Sequence, residues 1–184
     1  MTGQINVNKI AARTGNTITI NSGDKISGTS GAIAVPGSIV QVVTNQSTNH
    51  STAATYFAST STTHADVPIW IATITPKYAN SKIRINAHGA GLTRGTGNSI
   101  KLRVLRDSTS IVDSSRFQYT ESGATWGNWN GSFTCFDEPN STSAITYKVQ
   151  LANTSGATNA QCRIGDYIGD TNALVSFELM EIAQ

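Results

Sequence analysis

The chain is poor in most of the residues that announce a chemistry. It has 2 Cys, 4 Pro and 3 His in 184 residues, and only 13% of it is charged. Two cysteines make no disulfide framework, and buried, reduced thiols are the plain expectation for Cys135 and Cys162. Thirteen Lys+Arg against 11 Asp+Glu leave a formal charge of +2, without the concentrated basic face that captures nucleic acid or anionic lipid. No apolar run approaches the roughly 20 residues that span a bilayer as a helix, so membrane insertion is not expected. The first residues carry neither a basic n-region nor an apolar h-region, and the expected place of synthesis is a cytosol. Sustained apolar recurrence at helical spacing is also missing.

What fills the chain is Ser, Thr and Asn, roughly a third of all residues and well above average usage. Hydroxyl and amide side chains suit exposed strand faces and turns, and suit helix interiors poorly. The apolar residues alternate accordingly. Strands are predicted over Ser38–Thr44, Val67–Thr75, Ser81–Ala87, Ser99–Arg106, Trp129–Phe136, Ala144–Ala152 and Ala173–Ile182. Ile83 and Ile85 point inward between Lys82 and Arg84, and Ile100, Leu102 and Val104 repeat the device against Lys101 and Arg103. The last strand is so apolar that an interior position in a sheet is expected, because a long apolar edge invites aggregation. The predicted fold is all-β: an antiparallel β-sandwich, of jelly-roll type, with a short extended N-terminal segment.

Residues 1–36 have little aromatic mass and many turn residues, too little to bury a core of their own. They are expected to be a docking or trimerisation segment, with residues 37–184 forming the sandwich.

Five ordered phrases carry a resemblance. They are Val35-Pro36-Gly37-Ser38-Ile39-Val40-Gln41-Val42-Val43, Ile74-Thr75-Pro76-Lys77-Tyr78-Ala79-Asn80-Ser81-Lys82-Ile83, Leu105-Arg106-Asp107-Ser108-Thr109, Ser143-Ala144-Ile145-Thr146-Tyr147-Lys148-Val149-Gln150 and Leu179-Met180-Glu181-Ile182. In this order they resemble the C-terminal head domains of fibre and other virion surface proteins of marine and freshwater tailed phages. The resemblance implies a trimeric jelly-roll head, similar in outline to tumour-necrosis-factor and C1q heads. It further implies a homotrimer on the virion surface, made in the host bacterial cytoplasm and held to other virion proteins by its N-terminal segment. Only about 36 residues precede the head, where such fibres carry a long shaft. Three readings follow: a short tail fibre or appendage for host-surface attachment, a capsid decoration protein, and a free-standing lectin-like module.

No residue set announces catalysis, a cofactor or a metal. His50, His64 and His88 lack zinc-like spacing, and Asp166-Tyr167-Ile168-Gly169-Asp170 lacks the dense oxygen ligands of a calcium loop. Gly89–Asn98 is rich in glycine, but a strand rather than a helix follows it, so a hairpin connection is expected instead of a phosphate cradle. Asp137-Glu138 is the one adjacent acidic pair read as a candidate dyad, and neighbours on a strand point to opposite faces. Binding is the stronger expectation. Trp126 and Trp129, with Asn128 between them and Arg94 elsewhere, are the candidate receptor or subunit contacts, for a host-surface glycan or a neighbouring copy. Their spacing of three places the two tryptophans on opposite faces of a regular strand, so one of them is expected in the core.

Overall fold

A computed structural model describes residues 35–47, 57–94, 98–120, 126–154, 161–164 and 174–184. The chain divides between Ile33 and Ala34, and all described residues belong to the second unit. The docking role expected for residues 1–36 falls almost wholly outside them.

Ten strands follow one another: β1 (Ile39–Ser47), β2 (Phe57–Ser59), β3 (Ala65–Ile74), β4 (Lys82–Arg94), β5 (Ser99–Arg106), β6 (Thr109–Tyr119), β7 (Trp126–Asp137), β8 (Ile145–Asn153), β9 (Gln161–Ile164) and β10 (Val175–Ile182). Their pairing is nested. The first strand pairs with the last, β2 with β9, β3 with β8, β4 with β7 and β5 with β6, all antiparallel. That is one long hairpin. Rolling it over adds the pairs β10·β4, β4·β9 and β5·β8, which makes two facing sheets, one containing β1-β10-β4-β7 and the other β3-β8-β5-β6. A rolled hairpin divided between two sheets in this way is a jelly roll. The sandwich expectation is met, and so is the interior place of the terminal strand: β10 lies between β1 and β4.

The core is the space between the sheets. Inward rows of Ile83, Ile85 and Ala87 on β4 and of Val175, Phe177 and Leu179 on β10 meet Ile100, Leu102 and Val104 on β5 and Ile145, Tyr147, Val149 and Leu151 on β8. Period-two alternation delivers these residues to one face. On β3 a register irregularity between Asp66 and Ile71 breaks the period. It buries both Ile69 and Trp70, at 5% and 1% exposure, and leaves Ile71 only partly covered.

The glycine-rich stretch departs from expectation. Rather than opening a connection at Gly89, β4 continues to Arg94 and pairs with β7 from Ile83 to Arg94. Gly89 is needed there for space, since a Cβ on it would stand 3.2 Å from the Trp70 ring and 3.5 Å from Val175. The strand β6 and the short β2 and β9 were likewise not anticipated.

The sandwich is closed along the β1/β3 flank by side chains. Asn45 donates its amide to the carbonyls of Ile69 and Ile71 at 3.1 and 3.4 Å, and Gln41 donates to that of Thr75 at 2.7 Å. On the outer face of the β3-β8-β5-β6 sheet, Asp66, Gln150, Arg103 and Asp113 form one row across all four strands. Its Arg103–Asp113 pair at 2.8 Å is solvent-facing and contributes about 0–1 kcal/mol.

Removing Phe177–Gln184 takes away a central strand, two fully buried apolar side chains and a buried carboxylate. At about 2–5 kcal/mol for each of these groups, the loss is on the order of 10 kcal/mol, comparable with the whole stability of a domain at about 5–15 kcal/mol. A chain ending at Ser176 is expected to show no cooperative thermal transition by circular dichroism.

Candidate functional site

The sandwich has two unlike ends. Val35 and Gln184 both lie at one, the terminal pole, where Gly37 donates its N–H to the Ala183 carbonyl at 2.8 Å and Ala183 returns one to Ser38 at 3.0 Å. Gly37 makes this turn with φ +84°, a conformation glycine adopts without a Cβ penalty. From there β4 runs from Lys82, opposite Ile182, to Arg94, opposite Trp126. Thirteen strand residues at about 3.3 Å each span roughly 40 Å, which sets the distal pole well away from Val35 and Gln184.

The terminal pole is tied by a buried carboxylate. Glu181 has 0% exposure and continues the inward row of Val175, Phe177 and Leu179. Its Oε1 accepts the Lys77 and Tyr78 backbone N–H groups at 2.8 and 3.1 Å and the Ser81 hydroxyl at 2.7 Å, while Oε2 accepts the Gln41 amide at 2.6 Å. A buried charge is tolerated only when its lone pairs are met this fully. Beside it, Asp137 Oδ2 accepts the buried Tyr147 hydroxyl at 2.7 Å, and Arg106 reaches both Asp137 oxygens at 3.1 Å. Asp107, at φ 51°, exchanges bonds with Thr146 at 2.7 and 2.9 Å. The five phrases quoted from the sequence meet at this one pole. Three converge on Glu181, and the other two meet through Asp107 and Thr146.

These contacts dispose of the acidic pair as a dyad. Asp137 is held by Arg106 and Tyr147, and Glu138 pairs with Lys82 at 3.0 Å. Burial and the Asp137 carboxylate together push the Tyr147 hydroxyl far above its ordinary range, so it stays a donor. Among the described residues no group of three or more His, Cys, Asp and Glu is placed to hold a metal ion. His50 and the 166–170 segment lie outside the described residues. His64 is held below its ordinary value by burial and by Arg103, and His88 sits on β4 opposite Ser132 and Ser176.

The cysteines do not meet. Cys135 pairs with Ile85 and Cys162 with Thr93 on the same strand. The two β4 positions are eight residues, roughly 26 Å, apart at strand rise, far beyond disulfide reach. Both thiols are free, Cys162 buried and Cys135 partly so. Burial, with Asp137 adding for Cys135, raises them to about 12 and about 11. Neither is a thiolate nucleophile near neutral pH.

At the distal pole a buried amide pair does the tying. Asn98 and Asn153, both at 0% exposure, join through Asn98 Nδ2 and Asn153 Oδ1 at 2.8 Å, and Asn153 donates to the Ser59 carbonyl at 2.8 Å. Asn98 also accepts the Thr120 N–H at 2.7 Å. This knot fixes the start of β5, the end of β8, the exit of β6 and the chain after β2. The same pole receives the four candidate contact residues. Arg94 is in register with Trp126, Leu92 with Asn128 and Gly91 with Trp129, so a single ladder gathers all four. Trp126 and Trp129 occupy positions of opposite parity on β7.

No family model and no curated protein matches the chain. Among solved structures it is similar to infectious bursal disease virus, Gt strain, at 12% identity and a TM-score of 0.41, over 91% of this chain and 42% of that one. A VP2 subviral particle of infectious bursal disease virus matches at 12% and 0.35, over 78% and 38%. The chain spans less than half the length of either. Likeness of this degree does not bear on function, and the jelly-roll assignment rests on the strand pairing itself.

Glu181→Ala orphans four donors at once and is expected to destabilise the protein by about 3–5 kcal/mol, read from urea midpoints, while a change on the outward face of the same strand such as Glu178→Ala stays within about 0.5 kcal/mol. The raised thiol values give a second expectation. At pH 8 the native protein should react with a thiol-specific disulfide reagent far more slowly than free cysteine, and should release two fast equivalents once unfolded.

Proposed function

We propose that the chain is a non-enzymatic structural protein on the surface of a tailed-phage virion, a homotrimer that displays its jelly roll for attachment to a host-surface glycan as a short tail appendage. Residues 1–36 dock it to other virion proteins. The observation that supports this reading is the polarity of the sandwich. Both described chain ends lie at one pole, and Arg94, Trp126, Asn128 and Trp129 gather at the other, so a protein held at its N-terminal side presents the contact ladder outward.

The mechanism is multivalent. A weak stacking and hydrogen-bonding contact in each of three copies adds up through effective concentration, with no need for a deep pocket. A near-neutral surface rich in Ser, Thr and Asn offers uncharged donors and acceptors suited to sugar hydroxyls. Neither nucleic acid nor membrane is a partner in this reading.

The test is location and copy number on purified particles, by labelled-antibody electron microscopy and quantitative mass spectrometry, together with adsorption to host cells. A handful of copies at the tail, and adsorption that falls about tenfold or more in Trp126→Ala with Trp129→Ala, is the expected result. Hundreds of copies over the shell would make it a capsid decoration protein instead. Turnover of any host polysaccharide would overturn the non-enzymatic assignment.

A further inference from the structure

The two flanks of the sandwich are finished differently. On the β1/β3 side, Asn45 and Gln41 bridge the sheets. On the β6/β7 side, among the described residues, β7 pairs with β4 alone and β6 with β5 alone, and the inward-facing Ile111, Val112, Phe133 and Cys135 are only partly buried. Phe117 and Phe133 meet edge to face at 6.1 Å. Phe136, on the outer face of the same edge, is 56% exposed.

Natural edge strands are usually blunted by charge, proline, a bulge or brevity. β7 has none of these over Gly131–Phe136: the stretch holds no charge and no proline, and its register with β4 is unbroken. An uncharged and regular edge of this length is a template for another strand.

From this we infer that the β6/β7 flank is an interface between two copies of this chain, with the β7 edge of one copy pairing antiparallel with the same edge of the other. Two features select a second copy over a foreign peptide. The partly buried apolar positions of this flank, Ile111 and Val112 on β6 and Phe133 and Cys135 on β7, span both sheets, about 10 Å apart, which one extended peptide cannot cover but a second sandwich flank can. The edge is also self-complementary. A two-fold axis at Thr134 sets Phe133 opposite Cys135 of the second copy, Ser132 opposite its Phe136, and Asp137 opposite its Gly131, so no like charges face each other.

This contact is two-fold and therefore distinct from the three-fold closure proposed above; it goes beyond that reading and does not depend on it. Sedimentation of the full chain at micromolar concentration separates the two. Six chains per particle support both closures, and two chains support the flank while removing the three-fold. Three chains or one would overturn the flank interface. In Thr134→Lys with Phe136→Lys, both exposed positions, the mass is expected to halve with the circular dichroism spectrum unchanged. Should that pair fail to fold, Ser132→Lys at the third exposed position replaces it. Val42→Lys, an exposed apolar position on the opposite edge of the same sheet, is expected to leave the mass alone. An unchanged mass in the β7 variants, or an equal loss in Val42→Lys, would contradict the assignment.

Discussion

The pairing of β10 with β4 turns a hairpin into a sandwich. A nested hairpin by itself is a two-stranded ribbon with one apolar side open to water, and such a ribbon is marginal at best. Placing the last strand against the fourth folds the ribbon onto itself, so the inward rows of Phe177 and Leu179, Ile83 and Ile85 face those of β5 and β8. Everything else in the sandwich follows from that closure. β7 becomes an edge, the terminal pole brings Gly37 and Ser38 beside Ala183, and the far ends of β4 and β7 are carried to the opposite pole.

An apolar slab between two sheets has open ends, and here polar residues close them. The inward row of β10 ends in Glu181, that of β7 in Asp137 and that of β8 in Asn153, while β5 begins its row with Asn98 and finishes it with Arg106. Each finds a partner: Glu181 with Gln41 and the 77–81 turn, Asp137 with Arg106 and Tyr147, Asn98 with Asn153. Such networks contribute when every member is satisfied and cost when one is removed. They also fix which loops sit at each pole. The polarity on which the proposed function rests is therefore a product of how the core is capped.

Much of this could be read from alternation, which is why the strands with clean inward and outward faces were found, along with the interior place of β10. The polar caps were legible too, but as exceptions. Glu181 stands two residues beyond Leu179 and Asn153 two beyond Leu151, so strict period two already places both on the buried face. The rest was hidden for physical reasons. β6 puts Ser114 between its apolar Val112 and Phe117, and its pairing with β5 shifts register twice, so no clean period shows. β2 and β9 are too short to show a period. The Gly89–Arg94 stretch looked like a loop because its glycine answers to the Trp70 ring across the core, a long-range demand that local sequence does not display. For the contact residues, spacing gave the opposite parity of Trp126 and Trp129, whereas the approach of Arg94 to Trp126 comes only from the β4–β7 register.

Native-state hydrogen exchange followed strand by strand tests the closure most directly. If β10 is the strand that holds the rolled hairpin shut, its amides should exchange only through global unfolding, with the same free energy as those of β4, β5 and β8. Exchange of β10 in a separate, lower-energy opening that leaves β4 and β8 protected would contradict the account.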